Sequence, residues 1–184
     1  TRISAVECLA LNIYHEARGE SEQGKLAVGH VVLNRSADGK FPRDLCEVVR
    51  QGAKKTAKSC QFSWACDGLS DQPRDPKSWE AAQRLAQAIY AGETTDPTGG
   101  ALWYHADYVQ PSWQQAFERG PVIGRHIFYK KRNEKAYIVE EASAAPAPST
   151  SKVNTGAFSL ASSNPAATPI SATPALSLGA TPSE

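Results

Sequence analysis

The chain has 184 residues, enough for one domain of ordinary size and an appendage. Its 20 Lys and Arg against 19 Asp and Glu leave a net charge of +1, which argues against nucleic acid as a partner held by bulk electrostatics. No run of about 18 apolar residues occurs, so no segment reads as a membrane span. The chain opens at Thr1 and contains no Met, which reads as a processed product whose targeting segment is already gone.

In chain order, Ser4 to Glu7 is a capping box, with Ile3 placed to staple onto Cys8. The helix that follows carries Leu9, Ile13 and Tyr14 inward and runs out near Gly19. A second helix is predicted from about Ser21 to Asn34, with Leu26, Val28, Val31, Val32 and Leu33 as its apolar faces. A short third one spans about Asp44 to Gln51, behind the Phe41-Pro42 turn. Asp75-Pro76 reads as an N-cap with proline at the first helical position. The helix beyond aligns Trp79, Ala82, Leu85, Ala86 and Ile89 and ends at Gly92. Turn chemistry at Asp96 to Gly100 precedes a strand at Ala101 to His105, and a second strand is expected over Val122 to Tyr129. Helices first and strands later make an α+β domain, and no internal repeat is visible. From Ser143 onward, 30 of 42 residues are Ala, Pro, Ser or Thr and only Lys152 and Glu184 are charged. Such a segment buries too little apolar surface to offset its conformational entropy. The expected division is a folded domain at 1–140 and a disordered tail or linker at 141–184.

The chemistry concentrates at Tyr14-His15-Glu16-Ala17-Arg18-Gly19-Glu20. A carboxylate in the last turn of a helix faces unpaired carbonyls, and Tyr14 and Ala17 offer partial desolvation. Both effects favour the protonated form that a general acid needs. Arg18 opposes that if it folds back onto Glu16. Glu20 is the rival acid, but it reads better as a flank of the next N-cap, so Glu16 is favoured. His15-Glu16 begins like a zinc-protease motif, yet residue 19 is Gly, and His-Glu-x-x-His fails. A site built from the distant histidines His15, His30, His105 and His126 is left as the less favoured alternative to structural or cleft-lining roles, so no metal and no cofactor is expected. The four cysteines permit three pairings. Cys60 and Cys66 are near enough to clip one loop, which leaves Cys8 with Cys46; four reduced thiols are the alternative. No nucleophile elbow or phosphate-binding loop appears. Phe62, Trp64, Trp103, Tyr104, Tyr108, Trp113 and Tyr129, interleaved with Gln61, Asp67, His105, Gln110 and Gln114, suit a sugar polymer, or else they are core.

Taken together, these blocks resemble the cell wall hydrolase family of the SleB and CwlJ type. The resemblance is carried by Tyr14 to Glu20, Gly24 to Arg35, Cys60 to Gly68, Asp96 to His105 and Ile123 to Tyr129. It implies a compact, mostly helical, lysozyme-like domain with a small antiparallel β element, and a monomer. It also implies cleavage of peptidoglycan glycan strands between N-acetylmuramic acid and N-acetylglucosamine, as a lytic transglycosylase with Glu16 as the catalytic glutamate. Glu20, Gln61, Phe62, Trp64, Tyr104, His105 and His126 are then assigned to the substrate cleft. The Cys60 and Cys66 pair departs from the spore members and is similar to envelope homologues of Gram-negative bacteria, which implies a periplasmic or secreted location. A metal-dependent amidase and a non-catalytic wall-binding module are the competing readings.

Overall fold

A computed structural model describes residues 3–53 and 60–132. The expected tail at 141–184 and the end of the expected domain lie outside the described residues. The described part is a helical layer backed by a small antiparallel sheet, as the α+β expectation requires.

Helix α1 (Ala5–Ala17) is the centre of the helical layer. Ser4 caps it, its hydroxyl accepting from the Glu7 N–H at 3.1 Å. Cys8 through Tyr14 are all buried, far more than one amphipathic stripe, because α2 (Glu22–Ala37), α3 (Leu45–Val49) and α4 (Pro76–Tyr90) each pack against it. Gly29 of α2 makes the closest approach possible. A Cβ there would lie 2.5 Å from Ile89 Cδ1 and 3.0 Å from Ile13 Cδ1. In α4, Asp75 accepts from the Lys77 and Ser78 N–H groups with Pro76 at the first helical position. Ala82, Leu85, Ala86 and Ile89 are buried as the periodicity predicts, and Trp79 is half-buried at the edge of the core.

Two disulfides close the layer. Cys8 pairs with Cys46 (Cα separation 5.2 Å), tying α1 to α3, and Cys60 pairs with Cys66 across six residues.

The sheet corrects one expectation. The apolar run Val122 to Tyr129 is not one strand but the heart of a hairpin, β2 (Glu118–Ile123) and β3 (His126–Lys130). Its two-residue turn is Gly124-Arg125, with Gly124 at φ +58°, the left-handed conformation that such a turn demands. Strand β1 (Trp103–Ala106) starts two residues later than expected and pairs with β3, giving the order β1-β3-β2. Pro121 lies on the edge strand β2, within the register shift between Arg119 and Val122, where no ladder bond is lost.

The entry to β1 is fixed from α2. Asn34 Nδ2 donates to Asp96 Oδ2 (2.9 Å) and to the Ala101 carbonyl (3.0 Å), and Arg35 Nε donates to the Leu102 carbonyl (2.7 Å). Asp96 also accepts from the Thr98 and Gly100 N–H groups, so the turn ahead of the strand is closed on one carboxylate. This anchoring sets where Tyr104 points.

Candidate active site

Glu16 occupies the last turn of α1, partly exposed between the buried Tyr14 and Ala17. Tyr104, fully buried on β1, donates its hydroxyl to Glu16 Oε2 at 3.1 Å. Desolvation raises the Glu16 pKa from 4.5 to about 7, and the Tyr104 hydrogen bond opposes the rise without cancelling it. Tyr104 itself is held well above 10, first by burial and then by the neighbouring Glu16, so it remains a neutral donor. Arg18 does not fold back. Its Nη1 donates to the Tyr14 hydroxyl at 3.0 Å, and the guanidinium lies over that ring. Glu16 is therefore a carboxyl that holds its proton near neutrality at a defined position, as a general acid must.

Glu20 comes to the same corner from the turn after α1. Helix α1 ends at Ala17, and Gly19 is not among the glycines of positive φ, so the stop is made by Ser21, which caps α2 through the Gly24 N–H. The Glu20 carboxylate points across to the hairpin turn. Both its oxygens lie 3.3–3.4 Å from the Arg125 N–H, and a Cβ on Gly124 would fall 1.8 Å from Oε2. Glycine at 124 thus serves twice, for its φ and for the approach of this carboxylate. His126 follows, with Nδ1 3.8 Å from Glu20 Oε1 and its ring edge-on to Tyr104 at 5.0 Å.

Of the residues expected to line the cleft, the structure sets Tyr104 on Glu16 and His126 beside both Tyr104 and Glu20, and places the other four elsewhere. Gln61 and Phe62 are buried against Arg35. Gln61 Oε1 accepts from Arg35 Nη1 at 3.0 Å, and the guanidinium lies over Phe62 and Phe41 at 5.5 and 4.9 Å. Trp64 is also buried, donating from Nε1 to Asn12 Oδ1 at 3.0 Å and stacking on His15. His105 is on the opposite face of β1 from Tyr104, as strand alternation requires. There it is buried, with Nδ1 2.8 Å from the Ala106 carbonyl and Nε2 3.0 Å from the Tyr129 hydroxyl. Trp103, Trp113 and Phe117 complete that outer aromatic layer.

The residue that sequence reasoning missed is Arg35. It is completely buried, and its surroundings contribute a carbonyl, an amide and two aromatic faces. Burial lowers its pKa to about 9, which still leaves it charged at neutral pH. The signal was a lone arginine closing the apolar run Val31-Val32-Leu33-Asn34. The four histidines have separate surroundings: Asp71 carbonyl for His15, Thr94 for His30, Tyr129 for His105 and Glu20 for His126. Among the described residues, no three His, Cys, Asp or Glu side chains gather as a metal site.

The chain is similar to known proteins. The family model described as cell wall hydrolase matches residues 19–129, beginning three residues after Glu16. A spore cortex-lytic enzyme of Oceanobacillus iheyensis is 31% identical over 126 residues, covering 68% of this chain and 41% of that protein. One from Halalkalibacterium halodurans is 32% identical over 124 residues, covering 67% of this chain and 34% of that protein. The chain thus spans well under half the length of these curated relatives. Among solved structures, the catalytic domain of the germination-specific lytic transglycosylase SleB from Bacillus anthracis superposes with a TM-score of 0.52 at 28% identity. That match covers 71% of this chain and 97% of that one.

Proposed function

The chain belongs to the cell wall hydrolase family, and from that membership we propose that it cleaves peptidoglycan glycan strands between N-acetylmuramic acid and N-acetylglucosamine, as a lytic transglycosylase, in the cell envelope. The observation that carries the reading is Glu16, a carboxyl held by the Tyr104 hydroxyl, with its pKa raised by burial to about 7. Most glycosidases place two carboxyl groups about 5–10 Å apart on either side of the scissile bond. Here the nearby acid, Glu20, is committed to the Gly124-Arg125 turn and His126. A single acid suffices when the substrate supplies its own nucleophile.

Protonated Glu16 gives its proton to the bridging oxygen as the C1–O bond breaks. The muramyl 6-hydroxyl closes onto C1, and the resulting Glu16 carboxylate is able to accept the proton that this hydroxyl loses. Activity requires the protonated acid, so it declines as pH rises through about 7. The relative described as a lytic transglycosylase lends this outcome its support.

The test is digestion of purified peptidoglycan by wild type and Glu16→Gln, with products weighed by mass spectrometry. Anhydro-muramyl ends, one water lighter than hydrolysed ones, are expected from wild type and not from the variant. Reducing ends would make the enzyme a muramidase. Chelator-sensitive release of free peptides would replace the reading by an amidase, and no product from wild type would leave a wall-binding module.

A further inference from the structure

We propose that His126, with Glu20 beside it, takes the proton from the attacking oxygen in place of the Glu16 carboxylate, so that Glu16 and His126 divide the acid and base halves of the reaction. The proposal rests on the glycan-cleavage reading above and deepens it.

His126 differs from the other three histidines of the chain. His15, His30 and His105 each engage at least one ring nitrogen in a hydrogen bond of 2.8–3.0 Å. His126 makes none among the described residues. Its Nδ1 is buried and unpartnered, 3.8 Å from Glu20 Oε1. Its Nε2 is not among the buried unpartnered atoms, so it is the ring nitrogen that reaches solvent. A ring with a carboxylate at one nitrogen and an open second nitrogen is the arrangement of an oriented base. The negative charge of Glu20 on that side favours the tautomer protonated at Nδ1, which leaves the lone pair on Nε2.

Position supports the same role. Glu20 is itself immobilised by the Arg125 N–H and the space left by Gly124, so the orienting carboxylate does not wander. His126 meets the edge of Tyr104 at 5.0 Å, and the Tyr104 hydroxyl meets Glu16 at 3.1 Å. One tyrosine therefore touches both groups.

The charges facing the ring are Glu20 and Asp107, which raise its pKa, and His105 and Arg125, which lower it. Burial outweighs them and lowers the pKa below 6.5, leaving His126 neutral where Glu16 still holds its proton. Groups whose surroundings push their proton affinities apart in this way form a working acid and base.

The step balances. The Glu16 proton goes to the bridging oxygen with the electron pair of the broken C1–O bond. The attacking oxygen (the muramyl 6-hydroxyl, or water) bonds to C1 and passes its proton to His126 Nε2. The imidazolium then releases that proton to solvent, and Glu16 regains one from it.

The experiment uses the full chain on purified peptidoglycan, following kcat and KM against pH. His126→Asn keeps an amide nitrogen facing Glu20 and removes Nε2. Its kcat is expected to fall about 100-fold or more, with KM and melting temperature near wild type and the acid limb of the profile gone. In His126→Ala, added imidazole is expected to restore part of the activity. Glu20→Gln removes a charge that raises the His126 pKa, so the acid limb moves to lower pH. A His126→Asn variant within about threefold of wild type, its acid limb intact and Glu16→Gln inactive, overturns the base role and leaves glycan cleavage standing. Loss of activity that tracks a fallen melting temperature, without imidazole rescue, also overturns it. Full activity in Glu16→Gln, or free peptides as product, would instead sink the reading on which it rests.

Discussion

The two faces of the three-stranded sheet are built from nearly the same materials. The outer face has Trp103, His105, Tyr129, Trp113 and Phe117; the inner face has Tyr104, Phe128 and His126. Each pairs a histidine with a tyrosine inside an aromatic layer. On the outer face the histidine and the tyrosine are tied into neutral side chains: His105 to Tyr129, and Tyr129 to Gln114 Oε1 at 3.3 Å. On the inner face the tyrosine and the histidine each meet a carboxylate from the α1–α2 corner. The difference shows that aromatic and histidine content does not make a site. What sets the inner face apart is its carboxylates, of which burial raises the pKa of Glu16.

The sharpest way to break this comparison is Glu16→Gln, expected to lower kcat by about 1000-fold, equivalent to about 4 kcal/mol. The same change has an opposite effect on stability. Glu16 binds its proton more tightly folded (about 7) than unfolded (about 4.5), so stability is lost as pH rises through that window. The cost reaches about 3 kcal/mol above it. Glu16→Gln is therefore expected to melt higher than wild type at pH 8 and no higher at pH 4 in calorimetry.

On the outer face, His105→Phe removes one hydrogen bond each from the Tyr129 hydroxyl and the Ala106 carbonyl, which keep Gln114 Oε1 and the Val109 N–H as partners. It is expected to cost about 2 kcal/mol in denaturant unfolding, with kcat within twofold of wild type. A large kcat loss at unchanged stability would dissolve the distinction between the faces. Tyr104→Phe, its inner neighbour, is expected to lower kcat about tenfold, or about 1.4 kcal/mol. Because the Tyr104 bond holds the Glu16 pKa down, its removal should move the alkaline limb to higher pH. Tyr129→Phe is the smallest, about 1 kcal/mol of stability and no change in the pH profile.

Much of this was legible in the sequence. The Ser4, Ser21, Asp44 and Asp75 caps stand where side-chain chemistry at helix starts requires. The buried face of α4 follows from spacing, and Glu16 stood out as a carboxyl in a last turn. The cleft was harder to read. Gln61, Phe62 and Trp64 have the composition of a sugar platform, but an aromatic face stacks on a guanidinium or an imidazole as readily as on a pyranose. Only the fold reveals that Arg35 and His15 occupy theirs. Tyr104 and His105 carry the opposite lesson. Adjacent residues of one strand point to opposite faces, so placing Tyr104 at Glu16 already removes His105 from it. The hairpin escapes a hydropathy reading because apolar residues flank Gly124-Arg125 on both sides, and hydropathy alone runs straight through a two-residue turn.

The Cys8–Cys46 bond ties the fold to its redox surroundings. It staples the helix carrying Glu16 to α3 across 38 residues. Closing a loop of that length contributes about 4 kcal/mol in the chain-entropy description, a large share of a domain's usual 5–15 kcal/mol. Under reducing conditions that share is withheld from the helix that carries Glu16. Treatment with a thiol reductant should lower the melting temperature markedly and the activity with it.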